Sequence, residues 1–389
     1  MNLSKSLIEQ ILTNGGNFFF FIVTANLVGP MEFGQFGIMW ACIQMIHGIA
    51  IQWILLPITS VPIRFETSHL INISRARLIR GTPAIILGII VYGFIFSIEK
   101  GVLTILLLYL ITISYIAVEL ARYVLIRENK IDRAIILQTA KWVGAFCVFF
   151  LITEVSLSAF SVLISIGSSV MMVCVWILLS NRGLIFSSPL SIESSHLDNY
   201  SAPLLRYGYV TTFHSIITTF VLTNINIALF GAIQVFRSLS NFFPVALQYI
   251  ESHVSARLVG AGKSTLIGSG YTLCGIVFFA LCVEMTVMHY DEVIVNAIFS
   301  DEYDKFSYLL PFVLGIAIFQ ALGRLLSVEV RLKEKTHVMD YSSILLIISA
   351  FLVLVAWQFN CDVEIILFIM VFTPLCQFLY LVLWKSRKI

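Results

Sequence analysis

The segment LVGAGKSTLIG, residues 258–268, decides between two fold classes. Its residues 262–265 have the types found at the phosphate-binding end of a P-loop, a motif of nucleotide-binding α/β proteins. A P-loop also needs a glycine five residues before Gly262, because that residue opens the turn whose backbone N–H groups surround the phosphates. This chain has Arg257 at that position. The motif is incomplete, so the rest of the chain decides the fold.

The composition is that of a membrane protein. The 389 residues are 59% hydrophobic and 12% charged, whereas soluble domains are about 25% charged. The chain contains many apolar runs of about 20 residues, the length that crosses the hydrocarbon core of a bilayer. We therefore predict an all-α polytopic membrane protein. The seven cysteines have no paired spacing, so neither a metal site nor a disulfide framework is expected.

Charged or turn-rich joints separate the apolar runs into about twelve predicted transmembrane helices. We number these spans 1 to 12 at residues 7–28, 37–62, 82–98, 102–124, 134–153, 159–180, 204–228, 231–255, 266–288, 306–328, 341–358 and 363–384. The longest joint without an apolar run, residues 181–203, is rich in Ser, Pro and Asn. It predicts an N-terminal six-helix half (1–180), a cytoplasmic linker (181–203) and a C-terminal six-helix half (204–389).

The distribution of Lys and Arg predicts the orientation. Of the 24 Lys and Arg residues, nineteen fall in the N-terminal segment, the C-terminal segment and every second joint, which the positive-inside rule makes cytoplasmic. The outer joints contain only Lys100 and Lys305, and three more cations fall within spans. Both termini are therefore predicted to be cytoplasmic. Residues 258–268 become a short cytoplasmic joint after span 8, where Lys263 is a positive-inside residue and no phosphate-binding loop is expected.

Span 8 has a polar stripe on one helical face. Its sequence FGAIQVFRSLSNFFPVALQYIESHV, residues 230–254, places six residues at alternating intervals of three and four: Gln234, Arg237, Asn241, Pro244, Gln248 and Glu251. Residues at this spacing share one face of an α-helix. Such a stripe is too polar to face lipid. It either lines a water-filled cavity, which is the default hypothesis for an ion within the membrane, or forms a hydrogen-bonded seam with neighbouring helices.

Three other spans carry weaker polar faces. They contain Asn14 and Asn17 in span 1, Gln44 and His47 in span 2, and His214 in span 7. Each face alone is typical of packing between membrane helices. Together these spans are the first pair of each half, which predicts a substrate cavity between the halves.

The candidate residues divide by role. The predicted substrate-cavity residues are Arg237, Asn241, Gln234, Gln248, Asn14, Asn17 and Gln44, and the candidates for ion coupling are Glu251, His214 and His47. Histidine is a candidate because it titrates near neutral pH. The remaining cations near the cytoplasmic ends of spans, Lys141, Arg206 and Arg324, are expected to extend to the membrane surface.

Three motifs carry a resemblance to a known family. ANLVGPMEFGQFGIMW (25–40) resembles the L-G-P-x-x-F-G-x-[FY] joint between the first two helices of polysaccharide flippases, and LLRYG (204–208) resembles the entry to their seventh helix. AIFSDEYDKFSYLLPFVLGIAIFQALGR (297–324) resembles their outer joint and tenth helix, with Ser300 in place of a glycine and Tyr303 as the usual aromatic residue. The order and spacing of the motifs fit across almost the whole chain. One departure is the nearly absent joint between spans 7 and 8.

The resemblance implies an O-antigen or capsule flippase with two six-helix bundles around a central cavity. Such a protein moves an undecaprenyl-diphosphate-linked oligosaccharide from the cytoplasmic to the periplasmic leaflet of the bacterial inner membrane by alternating access. Its superfamily also contains lipid II flippases and multidrug and toxin extrusion antiporters. By position, Arg237 could bind the diphosphate. The implied partners are the lipid-linked substrate, membrane lipid, and polymerase and chain-length proteins of the same pathway, with no cofactor, nucleotide or nucleic acid.

Two other functions compete with a flippase. A multidrug antiporter for cations needs an acidic residue deep in the membrane, whereas the best-placed deep charge here is Arg237. An O-antigen polymerase needs a large outer loop, whereas the longest outer joint here is only residues 289–305. We therefore expect a transporter and no enzyme activity, with an ion-coupled antiporter as the main alternative.

Overall fold

The protein is helical throughout its described part. The computed structural model describes residues 3–55, 67–96, 98, 102–154, 157–180, 195–240, 270–333 and 335–386, and these contain helices and short connections but no strand. Residues 258–268, which carry the incomplete P-loop motif, lie outside the described residues.

Eleven α-helices are described, together with a π-helical turn at Ile51–Leu55 and a 3₁₀ helix at Asp301–Phe306. The α-helices are α1 (Leu3–Ala50), α2 (Thr67–Ile95), α3 (Val102–Arg127), α4 (Ile131–Thr153), α5 (Ala159–Ser180), α6 (Ser195–Ile225), α7 (Ile227–Ser240), α8 (Gly270–Ile298), α9 (Leu309–Leu332), α10 (His337–Gln358) and α11 (Val363–Ser386). Eight helical segments of this part are long and apolar enough to cross a membrane. The predicted all-α polytopic membrane fold is confirmed.

Helix α1 contains span 1 and residues 37–50 of span 2, and it folds back on itself. Gly29 has φ +74° and ψ 169°, a conformation that interrupts the helix and that glycine adopts without steric cost. The ring centroids of Phe21 and Trp40 lie 5.7 Å apart, whereas nineteen residues of straight helix would separate them by about 28 Å. The first limb (3–28) and the second limb (30–50) are therefore antiparallel. The loop expected between spans 1 and 2 is replaced by a sharp turn at Gly29.

An aromatic cluster holds the two limbs together. Phe21 packs edge to face against Phe33, Phe36 and Trp40, with centroids 5.5 to 5.8 Å apart. Edge-to-face aromatic pairs contribute about 0.5–1.5 kcal/mol beyond the burial of their surface. The phenylalanine-rich sequence before Gly29 thus stabilises the fold-back that Gly29 permits.

Several predicted boundaries differ from the structure. Helix α2 begins at Thr67, well before span 3, and α6 begins at Ser195, before span 7. Residues 195–203, assigned to the linker, belong to α6 and include Pro203 within the helix. Hydropathy marks only the apolar part of a helix, so polar turns that extend beyond the bilayer escape it. The rest of the predicted linker lies outside the described residues.

The short joint between spans 7 and 8 is a single capping residue. Helix α6 ends at Ile225 and α7 begins at Ile227. The side-chain oxygen of Asn226 accepts hydrogen bonds from the backbone N–H groups of Ala228 (2.8 Å) and Leu229 (3.3 Å). Asparagine is a favoured N-cap because its side chain satisfies amides that have no partner within the helix. Asn226 therefore begins a new helix without a loop.

The helices pack so that α1 joins the two halves. Within the first half, α1 contacts α3, α4 and α5, and α4 packs closely on α5. Across the halves, α1 contacts α6 and makes its most extensive contact with α7. Within the second half, α9 packs on α11 and α6 packs on α10.

Two glycines set the distance between α1 and α7. A Cβ atom placed on Gly231 collides with the backbone oxygen of Pro30, and one placed on Gly34 collides with the backbone oxygen of Ile227. Small residues allow the backbones of membrane helices to approach closely. These contacts join the turn of α1 to the start of α7, at the predicted outer end of the molecule.

Two of the sequence motifs meet at this outer end. The side chain of Asn26, just before the turn, donates to the backbone oxygen of Ile298 (2.9 Å) and accepts from the backbone N–H of Ser300 (3.0 Å). Tyr303 is fully buried and its hydroxyl donates to the backbone oxygen of Ala25 (3.4 Å). The joint of the first half and the outer joint of the second half thus form one closed contact.

The glycine contact gives a stability prediction. We expect Gly231→Ala to lower the free energy of unfolding by about 1–3 kcal/mol, the usual cost of overpacking, because the added methyl group displaces the backbone at Pro30. Thermal unfolding of the detergent-solubilised protein measures the effect.

The matched control is Gly93→Ala, where an added Cβ meets no atom of the described residues within 4 Å. This change should leave stability the same or raise it, because alanine favours helix. Equal unfolding temperatures for the two variants would show that α1 and α7 are not in close backbone contact.

Candidate functional site

A central cavity of about 510 Å³ lies between the two halves. Its walls come from α1, α3 and α4 of the first half and from α6, α7, α9, α10 and α11 of the second, among the helices described. Both limbs of α1 contribute, because the fold-back brings them side by side. The wall is about half polar, which is unusual inside a membrane and is typical of a solute pathway.

The cavity occupies one end of the bundle. It is lined by early and late parts of α1, by the middle of α4 and α6, by the first part of α10 and by the later parts of α3, α7, α9 and α11. These parts lie on the side that the Lys and Arg distribution predicts to be cytoplasmic. The opposite end is closed by the contact of Pro30 with Gly231 and of Asn26 with the outer joint. In this topology the cavity faces the cytoplasm.

Six of the seven predicted site residues that the structure describes line this space, namely five substrate-cavity residues and one ion-coupling candidate, His47. The structure places Asn14, Asn17, Gln44, His47, Gln234 and Arg237 in its wall. They come from both limbs of α1 and from α7, which pack against one another. His47 is buried, its ring packs edge to face on Tyr115 with centroids 4.7 Å apart, and its ring nitrogens have no hydrogen-bond partner among the described residues.

Four predicted site residues do not join them. Asn241, Gln248 and Glu251 lie outside the described residues. His214 is described but is not among the cavity-lining residues of the structure, since its Nε2 atom makes a 3.0 Å hydrogen bond with the hydroxyl of Ser349 between α6 and α10. Its placement corresponds to helix–helix packing within the second half.

The sequence analysis missed a buried charge network in the first half. The Nε atom of Arg122 lies 2.6 Å from the carboxylate of Glu9, and its Nη1 atom lies 3.2 Å from the carboxylate of Glu119. The Nζ atom of Lys141 lies 3.2 Å from the other oxygen of Glu119. All four side chains are nearly inaccessible to solvent. The network joins α1, α3 and α4.

The prediction for Lys141 was wrong. We expected its side chain to extend to the membrane surface, but it is 1% exposed and points to Glu119. Its ammonium also lies 4.9 Å from the ring centre of Trp142 and 5.2 Å from that of Tyr115, distances typical of cation–π interactions. Two acidic residues within apolar spans, Glu9 and Glu119, were the available signal, because buried carboxylates require cationic partners.

Arg206 and Arg324 have different surroundings. The guanidinium of Arg206 is 62% exposed and lies 2.5 Å from the carboxylate of Asp340, as expected for a residue at the surface. Arg324 lines the central cavity.

The central cavity carries an excess of positive charge. Among its described lining residues, one is acidic, Glu119, and five are Lys or Arg: Arg122, Lys141, Arg237, Arg324 and Arg331. Glu9 also neutralises part of this charge through Arg122. The cations still outnumber the two carboxylates, so the electrostatic field of the cavity favours an anion.

No known family profile matches the chain, and a search of curated proteins finds no match. Solved MATE structures match over nearly the whole length. A mutant MATE protein gives a TM-score of 0.61 at 11% identity, with 99% of this chain and 95% of that chain covered. VcmN of Vibrio cholerae in the bent form gives 0.53 at 12% identity, with 97% and 94% covered. A eukaryotic MATE transporter gives 0.52 at 14% identity, with 99% and 94% covered.

These likenesses show the fold. The described chain has the fold of MATE transporters. The TM-scores are comparable for a MATE structure in the straight conformation (0.58 at 10% identity) and for VcmN in the bent form (0.53 at 12% identity). The fold does not distinguish the polysaccharide flippase family from other families with this fold.

The buried network gives a second stability prediction. Glu119→Gln removes the carboxylate between Lys141 and Arg122, and we expect it to destabilise the protein by about 3–5 kcal/mol, because an uncompensated buried charge is costly. Glu119→Gln combined with Lys141→Met should cost less than the two single changes added together, by about 1 kcal/mol or more.

The exposed ion pair of Lys5 and Asp132, with atoms 2.8 Å apart, is the control. Asp132→Asn should change stability by no more than about 1 kcal/mol, as for other surface pairs. Thermal unfolding measures all four variants. Additive effects of Glu119→Gln and Lys141→Met would contradict the pairing.

Proposed function

We propose that the protein is a secondary transporter that carries its substrate across the membrane by alternating access. The observation that carries this proposal is the central polar cavity, which is closed at the predicted outer end by α1 and α7. The reverse state requires that this outer contact separate and that the halves meet at the cytoplasmic side. The likeness to MATE transporters supports the same mode of action by fold.

The charge of the cavity favours a substrate with an anionic head. Sugars and diphosphates carry many polar groups, and each costs several kcal/mol if it crosses hydrocarbon without hydrogen-bond partners. Asparagine and glutamine side chains can hydrogen-bond to sugar hydroxyls, and Arg237 can pair with a phosphate oxygen. On this basis the first candidate is the undecaprenyl-diphosphate-linked oligosaccharide that the motifs imply, moved outward across the bacterial inner membrane.

The second candidate is a multidrug antiporter, and the comparisons support it better than the flippase. The solved structures described above are all MATE proteins. A cationic drug would need an acidic partner in the cavity, and Glu119 is the acidic residue among the described lining residues. Its oxygens already contact Lys141 and Arg122, so a cation would have to compete with both. That competition is the physical argument against this candidate.

Roles follow for individual residues. Arg237 and Gln234 sit one turn apart on α7, which forms the movable contact with α1, so they are placed to bind the head of the substrate. Asn14, Asn17 and Gln44 face the same space from α1. His47 is the coupling candidate that lines the cavity, because histidine is the side chain that ordinarily titrates near neutral pH and its ring nitrogens make no hydrogen bond with the described residues.

The proposed driving force is an ion gradient, the membrane potential or removal of product at the outer side. A membrane potential contributes about 2.3 kcal/mol for each elementary charge moved across 100 mV. Substrate polymerisation outside would also draw the reaction forward, which gives polymerase and chain-length proteins their place as proposed partners.

A substitution in α7 tests the cavity. Arg237→Gln should reduce transport at least tenfold, because the substrate loses a charge-assisted bond of about 1.5–3 kcal/mol. Arg206→Gln is the matched control, since Arg206 is a surface residue paired with Asp340. Each variant is expressed in a deletion strain at the membrane level of the wild type. Surface polysaccharide and sensitivity to cationic drugs are then measured.

The two candidates give opposite results. Loss of surface polysaccharide in the deletion strain and with Arg237→Gln, but not with Arg206→Gln, supports the flippase. Increased drug sensitivity of the deletion strain with intact polysaccharide supports the antiporter. A deletion strain that differs from wild type in neither property contradicts both candidates.

A further inference from the structure

A second cavity of about 370 Å³ lies between the second limb of α1, α2 and α6. We call it the lateral groove. Its described walls are almost entirely apolar, and it borders side chains of α2 that are open to the membrane, including Leu87 (62% exposed) and Val91 (49% exposed). It is therefore a groove on the lipid-facing side of the bundle, separate from the polar central cavity.

The lateral groove is long and narrow. Its α2 wall runs from Arg77 to Ile95 at helical spacing, a distance of about 27 Å, close to the thickness of about 30 Å of the hydrocarbon core. Small residues form its floor on α2. A Cβ atom placed on Gly88 meets no atom of the described residues within 4 Å. These dimensions suit a single extended hydrocarbon chain.

The apolar walls of the lateral groove favour a lipid chain over water or an empty space. Water is disfavoured in an apolar space because it finds too few hydrogen-bond partners. A void along the walls would also lose the dispersion contacts that close packing supplies. In a bilayer, acyl chains are present at high concentration on this side of the bundle.

Arginines at one end of the groove favour an anionic head. Arg77 lines the groove and donates to the backbone oxygen of Trp53 (2.7 Å) and to the hydroxyl of Ser201 (2.8 Å). Its guanidinium lies 5.3 Å from the ring centre of Trp53. Helix α2 contains three arginines, Arg75, Arg77 and Arg80, and no acidic residue. By the predicted orientation this positive cluster is at the level of the cytoplasmic headgroups, where it attracts anionic lipid.

We propose that the lateral groove binds one anionic phospholipid of the cytoplasmic leaflet. One acyl chain lies along α2 from Gly81 to Ile95, and the phosphate lies beside Arg77. The neighbouring Arg75 and Arg80 add to the attraction of an anionic head. This site is separate from the substrate site and does not depend on which solute the central cavity carries.

The proposed lipid lies next to the wall between the lateral groove and the central cavity. Met45 and Thr212 line both the lateral groove and the central cavity. The hydroxyl of Thr212 donates to the backbone oxygen of Met45 (3.2 Å), which joins α6 to the second limb of α1. The lipid therefore packs against the contact between the two halves that separates the central cavity from the membrane.

Two glycines of α2 provide the first test. Gly88→Leu fills the groove, whereas Gly93→Leu places the same side chain on the same helix, at a position that also has open space but does not line the groove. The purified full chain is stripped of lipid and titrated with dioleoyl-phosphatidylglycerol or dioleoyl-phosphatidylcholine, and native mass spectrometry counts the bound lipids. Wild type and Gly93→Leu should each bind one molecule of phosphatidylglycerol, and Gly88→Leu should not bind it.

Arg77 provides the second test. Arg77→Gln should reduce the preference for phosphatidylglycerol over phosphatidylcholine about five- to tenfold, and Arg77→Lys should keep most of it. Arg80→Gln, at an exposed position outside the groove lining, should have a smaller effect. Thermal unfolding without lipid checks that each variant is folded. If Arg77→Gln does not fold, the comparison of Gly88→Leu with Gly93→Leu decides the proposal.

Three results would overturn the proposal. Equal binding of phosphatidylglycerol and phosphatidylcholine to wild type would show that the site does not select an anionic headgroup. Equal binding of phosphatidylglycerol by Gly88→Leu and Gly93→Leu would show that the lipid does not bind in the lateral groove. Displacement of phosphatidylglycerol from wild type by equimolar undecaprenyl phosphate would assign the groove to the tail of a transport substrate and not to a bilayer lipid.

Discussion

The close approach of α1 and α7 is the constraint on which the rest of the structure depends. Gly34 and Gly231 bring two helix backbones together where any side chain would keep them apart. Because α1 also packs on α3, α4 and α6, its position against α7 fixes the first half against the second. The central cavity is lined farther along the same two helices by longer polar side chains, including Gln44 of α1 and Arg237 of α7.

Buried charges in the described part of this protein occur in two settings, a paired network and the wall of the central cavity. In the first half, the carboxylates of Glu9 and Glu119 meet Arg122 and Lys141 at 2.6 to 3.2 Å, so the cost of removing each ion from water is offset by its partner. Among the described lining residues of the central cavity, by contrast, Lys and Arg outnumber the acidic residues. The paired charges join α1, α3 and α4, whereas the additional cations give the described cavity wall its positive charge.

Fold and charge give different information about function. The MATE-like fold accounts for the arrangement of the helices around the central cavity. It does not select the solute, since one fold serves several functions. The charge of the described cavity lining comes from the side chains of this protein, and it favours an anion. The substrate is therefore better judged from side chains such as Arg237 than from the helix arrangement.

The sequence alone determined the helices, the predicted orientation and part of the site. Hydropathy is a sum over neighbouring residues, so the apolar spans were predictable, and the stripe through Gln234 and Arg237 was visible because residues three or four apart share a helix face. The tertiary structure decided the turn at Gly29, the burial of Lys141 and the pairing of Arg122 with Glu9, which are 113 residues apart. Such pairs depend on how distant helices are rotated and how closely they approach, which no local pattern specifies.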